Sequence, residues 1–387
     1  MKNHSASHHH VALFSWQLTK RWGRIFACLL LLGTTLPACN DDNNEEPEPG
    51  LIQPAGSPSV PFSENMDAQM RAVIEQFVAF GTPPLPTLSP RQARMAPSVT
   101  DAVETLLRKN NREARAAAVT TTQRLIPGAY TPQSAPDGIL VRIYTPTSGS
   151  GPFPVVVYYH GGGWVIGSLD VYEPSAKALA EKAGAIVVNV DYRLSPEAKF
   201  PAAHEDAYAA YKWARDNAAS FGGNPAKVAV AGESAGGNMA VGVSLLAKER
   251  SLTLPTHILS VYPVANNDLN TASYNQYANA QPLNRPNVQY FTMNYFRTMA
   301  DGDNRLISLV DVADLRGLPA TTIIAAEIDP LLTEGQQLRD KLTQVGVATQ
   351  YMLYSGTTHE FFGTHDVVPK AIEAQDFAAS RLKAAFQ

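Results

Sequence analysis

Residues 227–240 read KVAVAGESAGGNMA, and the middle of that stretch decides the architecture. Val228 to Ala231 are small and apolar, as in a strand passing through a core. Gly232, Glu233, Ser234, Ala235 and Gly236 then spell Gly-x-Ser-x-Gly, and a helix-forming run resumes from Met239. Strand, tight turn and helix in that order predict a strained Ser234 whose hydroxyl projects into a cleft at the helix N-terminus. The flanking glycines remove side chains that would collide in such a turn. Five residues of this kind also arise by chance, so the setting gives the motif its weight. Glu233 is expected to support the turn through hydrogen bonds rather than to carry a proton.

Outward from this stretch, short β-rich runs alternate with helical ones from about Gly138: ILVRIY, FPVVVYYH, AIVVNVDY, KVAVAG, THILSVY, ATTIIAAEI and VATQYMLY. Strands that are apolar on both faces and alternate with helices predict an α/β fold, a mostly parallel sheet covered by helices on both faces. Residues 266–305 interrupt the alternation and are expected above the carboxyl edge of the sheet, where open α/β sheets bind ligands. Before the sheet, residues 64–82 and 99–118 have helical spacing, with Met66, Met70, Val73, Ile74, Phe77 and Val78 on one face.

A reactive serine needs donors for the oxyanion it creates. YYHGGGW (Tyr158–Trp164) follows a strand directly, and its three glycines let backbone N–H groups face a substrate oxygen. No Gly-Lys-Ser/Thr follows, so this is not a phosphate loop. A dinucleotide fingerprint would need glycine at Ile166, although Asp191 imitates the ribose-binding acid. Ser195, Tyr208 and Lys212 imitate a short-chain dehydrogenase, but the amino-terminal glycine loop of those enzymes is absent and the aromatic residues suit a core face.

For the base, His160 belongs to the glycine loop and His257 falls in an apolar strand. His359, in SGTTHEFFG after the last strand, stands where a catalytic base would follow the serine and the acid in chain order, with His365 as the fallback. HEFFGTH also resembles a zinc motif, but its histidines are six apart and would not share a helix face. Asp329, in EIDPLL, is the candidate acid, with Glu327 the alternative; Asp followed by Pro330 also suits a plain helix start.

The 387 residues carry 45% hydrophobic and 17% charged residues, enough for a large core. Lys20, Arg21 and Arg24 precede IFACLLLL (Ile25–Leu32), the charged and apolar parts of an export signal, too short for a bilayer span. His8–His10 form too short a tract for metal and lie in that leader. LPAC, with Leu36, Ala38 and Cys39, resembles the bacterial lipoprotein box, so Cys39 is expected to begin a lipid-anchored mature chain facing the periplasm. Cys28 lies in the leader, so no disulfide is expected. The leader holds four cations and no acid, so the formal −4 becomes −8 once it is removed. So acidic a body has no electrostatic reason to bind nucleic acid. Residues 40–61 contain five acids and five prolines without Lys or Arg and are expected to form an extended tether.

HGGGW, DYRLSPE (Asp191–Glu197), GESAGG, DPL (Asp329–Leu331) and the H-x-F of His359, in that order, resemble the hormone-sensitive-lipase-like family of α/β-hydrolases. The resemblance implies a carboxylesterase without metal or cofactor, with Ser234, Asp329 and His359 as catalytic triad. It implies an oxyanion hole of Gly162, Gly163 and Ala235 N–H groups, with Gly161 shaping the loop. It also implies esters of short or medium acyl chains, and a helical cap over 64–125 and 266–305. The expected organisation is a leader over 1–38, a tether over 39–62 and the hydrolase domain over 63–387. The sequence departs from the family at Ser195, where alanine is usual, and at Glu360, where glycine often follows the histidine. An amidase or formamidase would use the same groups, and a non-catalytic binding protein on this fold would have lost its histidine.

Overall fold

The computed structural model describes residues 50–128 and 137–387. The leader and Cys39 lie outside the described residues. Eight strands form one sheet in the order β1-β2-β4-β3-β5-β6-β7-β8. They are β1 (Val119–Ile126), β2 (Ile139–Pro146), β3 (Phe153–Tyr159), β4 (Ile186–Asp191), β5 (Gly223–Glu233), β6 (Ile258–Val261), β7 (Thr321–Ile328) and β8 (Thr349–Thr358). β1 pairs with β2 and β2 with β4 in antiparallel fashion, and every later pairing is parallel. The predicted α/β-hydrolase fold is what the chain adopts.

The central strands carry valine and isoleucine on both faces because both faces are covered. Val155, Val156 and Val157 of β3 and Ile186, Val187 and Val188 of β4 are all fully buried. One face packs on the helix Glu173–Ala183 and the carboxyl-terminal helix Pro369–Ala385, joined by two amino-terminal helices, Ala68–Ala79 and Val99–Lys109. The other face packs on Ala202–Asn217, on Ala235–Glu249 after the Gly-x-Ser-x-Gly turn, and on Leu332–Gln344. Burying a valine or isoleucine contributes about 1.5–3 kcal/mol, so this double layer dominates the fold's stability.

The strand order reverses at β3, whose neighbours are β4 on one side and β5 on the other. Loops leaving β3 and β5 therefore diverge to opposite sides and open a crevice between them. Over it lie a short helix, Pro90–Met95, and two helices of the 266–305 insertion, Ala272–Gln276 and Arg285–Tyr295. Ala93, Tyr274, Leu283, Val288 and Phe291 of these segments form an apolar cluster of their own with Val165.

Two amino-terminal expectations need correction. The helix expected over 99–118 ends at Lys109, followed by Asn111 with φ 52°. Residues 119–126 are the edge strand β1, so the amino-terminal part of the cap does not reach 125. The alanine-rich stretch REARAAAV looks helical, but the β-branched run from Val119 to Thr122 pairs with β2. Nor does the extended conformation expected of the tether run free to residue 62. Ile52 and Val60 are buried against the amino-terminal helices, and the Gly56 N–H donates to Glu75 at 2.9 Å.

Candidate active site

The sheet register brings the candidate groups together. Ile328 of β7 pairs with Thr358 of β8, so the next residues out, Asp329 and His359, leave the sheet side by side. His359 Nδ1 lies 2.7 Å from Asp329 Oδ2, and the other carboxylate oxygen accepts from the Leu331 N–H at 2.8 Å. Two strands away Ser234 follows β5, and its Oγ lies 2.9 Å from His359 Nε2. Ser234, Asp329 and His359 are 5%, 0% and 3% exposed, so their charges interact in a medium far less screening than water. A serine hydroxyl bonded to an imidazole that a carboxylate orients can attack a carbonyl while the imidazole takes its proton.

Ser234 has φ 57° and ψ −118°, a conformation that costs about 1–3 kcal/mol and persists only where its surroundings enforce it. The Ser234 N–H donates to Val261 O at 2.9 Å, and its carbonyl accepts from Asn238 and Val264. Tyr159 pairs with Gly232, so the loop after β3 presses on the turn; any Cβ at Gly236 would overlap the Tyr159 carbonyl. Below the turn, Tyr158 and Tyr262 both donate to the fully buried Glu233. Burial pushes the Glu233 carboxyl up, and the hydroxyls bound to it oppose that shift. It supports the turn without touching Ser234 Oγ.

Gly162 and Gly163 adopt φ of 99° and 58°, open to glycine at no steric cost. The Gly162 carbonyl accepts from Val165 and Ile166, the Trp164 carbonyl from Ser195 and the His160 carbonyl from the Tyr192 hydroxyl. With the carbonyls tied back, the N–H groups of Gly162, Gly163 and Ala235 donate to no acceptor among the described residues. Gly161 turns the loop above Tyr172, whose hydroxyl a Cβ there would strike.

Burial opposes a charge on His359, but the Asp329 carboxylate, with help from Glu360 and Glu233, outweighs it and lifts the imidazole pKa above 6.5. The other histidines take different partners. Burial lowers His160 to about 4 and it stacks on Tyr192 at 4.2 Å. His257 meets Thr322 Oγ1 at 2.9 Å, and His365 Nδ1 faces Gln375 Nε2 at 3.0 Å. His359 and His365 therefore share no ligand position, and no group of three His, Cys, Asp or Glu among the described residues could hold a metal ion. Glu327 accepts from the Gly356 N–H at 2.7 Å rather than from His359. Nor do the dehydrogenase-like residues converge. Ser195 Oγ donates to Ala198 O, Tyr208 lies under the Arg250 guanidinium, and Lys212 pairs with Asp216.

A cavity of about 470 Å³ opens over Ser234, within the usual range for small-molecule sites, with Gly162, Gly163, His359 and Glu360 on its wall. A recess of about 30 Å³ also reaches Ser234; Val264, Leu269, Val288 and Leu331 line it, and His359 does not. The aromatic wall of Phe291 borders both spaces, and Tyr172 borders the larger. Neither residue carried a signal in the sequence, because each reaches the site only through the packing of the insertion or of a helix start.

A family model described as α/β hydrolase fold matches residues 156–363. The carboxylesterase NlhH of Mycobacterium tuberculosis is 39% identical over 250 residues, 64% of this chain and 78% of that protein. An arylesterase of Saccharolobus solfataricus is 36% identical over 226 residues, 58% and 73% of the two chains. The crystal structure of a thermostable esterase from Pseudomonas putida superposes with a TM-score of 0.75 at 31% identity, covering 84% of this chain and 98% of that one. With its sheet order, its serine turn and its sequence all matching, the chain belongs to the α/β-hydrolase fold family.

Proposed function

We propose that the protein is a serine carboxylesterase that forms an acyl-enzyme on Ser234. The protein is a carboxylic ester hydrolase, and the observation that carries the assignment of roles is the unbroken relay from Ser234 through His359 to Asp329 beside three unengaged N–H groups. His359 Nε2 takes the hydroxyl proton as Ser234 Oγ attacks the ester carbonyl. Asp329 holds the imidazole in its tautomer and stabilises the cation. The N–H groups of Gly162, Gly163 and Ala235 hold the oxyanion, an effect worth roughly 10²–10³ in kcat per donor elsewhere. His359 then protonates the departing alcohol, and water releases the acid by the reverse route.

The two spaces support a division of the ester between them. The leaving oxygen must meet His359 Nε2, so the alcohol occupies the large cavity that His359 lines. The acyl group is left with the recess, which offers little more than the volume of one water molecule. Short acyl groups are therefore preferred. In an assay of p-nitrophenyl esters from acetyl to decanoyl, turnover should be greatest at the short end, and Ser234→Ala should lose it at every length. A Ser234→Ala protein that kept a tenth of the wild-type rate would sink the mechanism.

We also infer that Cys39 is lipidated after removal of residues 1–38, which would hold the enzyme on a membrane facing the periplasm. The lipoprotein-like LPAC stretch and the acidic, proline-rich residues after it support this.

A further inference from the structure

Most of the large cavity's wall is carbon, with Phe77, Val78, Leu283 and Phe291 prominent. Two charged residues also reach it, Arg94 and Glu360, and their situations differ. Arg94 is fully engaged. Its Nε donates to Val165 O at 2.8 Å, and its terminal nitrogens donate to the Glu197 carboxylate at 2.9 and 2.6 Å and to Ser195 O at 2.7 Å. Glu197 thus balances its charge.

Glu360 has no lysine or arginine partner among the described residues. Its Oε1 accepts from the Tyr172 hydroxyl at 3.1 Å, and its Oε2 takes no hydrogen bond from the described residues. The His359 imidazole favours its charge, Asp329 opposes it, Glu233 and Glu360 act on each other, and no lysine or arginine takes part. Its backbone has φ 67°, a conformation that glycine enters freely and glutamate does not. The chain therefore keeps a carboxyl on the cavity wall at a cost in both backbone strain and desolvation. Burial pushes its pKa up because the charged form loses solvation there, a cost that a cation bound beside it would offset.

Because the leaving alcohol occupies this cavity, Glu360 sits one residue from the imidazole that protonates the alcohol oxygen. A positive group on that alcohol would share the cavity with a carboxylate. It would also meet the rings of Phe77, Phe291 and Tyr172, whose faces attract alkylammonium ions. We propose that Glu360 is a specificity-determining residue that recognises a cationic group on the alcohol half of the ester, so that esters of amino alcohols are preferred substrates. This rests on the assignment of the large cavity to the leaving alcohol.

Two acetate esters of the same shape test it: choline acetate, and 3,3-dimethylbutyl acetate, which has carbon in place of the charged nitrogen. Their acyl group and catalytic steps are shared, so the ratio of kcat/KM isolates the charge. The wild-type enzyme should favour the choline ester by roughly tenfold, the scale of a partly desolvated quaternary ammonium held by aromatic faces beside a carboxylate. Glu360→Gln keeps an oxygen for Tyr172 and should bring the ratio to about one, as should Glu360→Gly, which also relaxes the backbone. A purely structural role would change both esters alike and leave the ratio standing. A wild-type ratio of one or less, or a ratio unchanged in either folded variant, overturns the proposal. Calorimetric titration of the wild-type enzyme with choline and with 3,3-dimethylbutanol supplies a readout independent of turnover. Tighter binding of choline supports the proposal, and equal binding overturns it. Failure to hydrolyse p-nitrophenyl acetate or either ester would instead count against the esterase mechanism.

Discussion

Replacing Asp329 by asparagine changes one atom and should disable the enzyme. The wild-type carboxylate serves two donors, the Leu331 N–H at 2.8 Å on Oδ1 and His359 Nδ1 at 2.7 Å on Oδ2. An amide has only one oxygen. If that oxygen stays on Leu331, the amide NH₂ faces His359 Nδ1 and forces the imidazole to carry its proton on Nε2. That proton then points at Ser234 Oγ, 2.9 Å away, and the ring can no longer act as base. If the amide turns over, the tautomer is restored but the NH₂ opposes the Leu331 N–H, an unsatisfied buried contact worth about 1–3 kcal/mol. In either orientation the imidazolium loses a charged partner worth about 1.5–3 kcal/mol. For the turned amide these add to about 2.5–6 kcal/mol, or roughly 10²–10⁴ in kcat. KM should move little, because Asp329 lies behind His359 and off the cavity wall. Steady-state hydrolysis of p-nitrophenyl acetate, with near-ultraviolet circular dichroism as a check on folding, measures both. The control is Glu327→Gln, whose amide oxygen can still accept from Gly356, so its kcat should stay within about threefold of wild type. A loss of less than tenfold in Asp329→Asn, or an exchange of the two outcomes, would falsify this account of the acid.

Gly163→Ala should lower kcat by roughly 10²–10³, because the new Cβ overlaps the Phe291 ring at φ 58° and displaces an N–H proposed to hold the oxyanion; unchanged kcat in folded protein would remove Gly163 from the proposed site. The acid limb of kcat/KM should lie above pH 6.5, since His359 must be neutral to act and its pKa is raised, and Glu360→Gln should move the limb to lower pH by removing one source of that rise. A limb that stays in place in that variant would show that Glu360 has no effect on the imidazole. Cys39→Ser should stop lipid attachment, so that the protein stays unprocessed or leaves the membrane fraction, while activity per folded molecule is unchanged. Mature wild-type protein with a free thiol at Cys39, recovered from the soluble periplasmic fraction, would contradict the anchor.

Much of the fold could be read from residues 138–387 because the physics there is local. Strands buried on both faces must be apolar on both faces, and the glycines around Ser234 report a turn that other residues cannot make. The closeness of the candidate acid and base could be read for a related reason, since each follows a strand directly and strand ends cluster at one edge of a parallel sheet. The amino-terminal part was less legible. Val119–Ile126 is an exposed edge strand, so it lacks the apolar signature of its neighbours, and the alanines before it favour helix. Ile52 and Val60 are single apolar residues in a polar segment, and nothing in their own neighbourhood says that a helix groove receives them. Tyr172 and Phe291 are harder still. Both reach the site through tertiary packing, which leaves no periodic trace in one sequence.

The strain at Ser234 and the alignment of the site have a common origin in the sheet. Glu233 pairs with Val261 in the ladder between β5 and β6, and the Ser234 N–H continues that contact. Tyr159 pairs with Gly232 on the other side, setting the glycine loop against the same turn. Ile328 pairs with Thr358, which delivers Asp329 and His359 together. A slip of one residue would send every side chain to the opposite face and undo the packing of both layers. Shifting β8 by one position would carry His359 about 3.3 Å along its strand, enough to break a 2.7 Å contact with Asp329. The apolar residues that stabilise the sheet thus also hold the distances among Ser234, His359 and Asp329, and the energy that enforces the turn at Ser234 is drawn from the whole core rather than from the site.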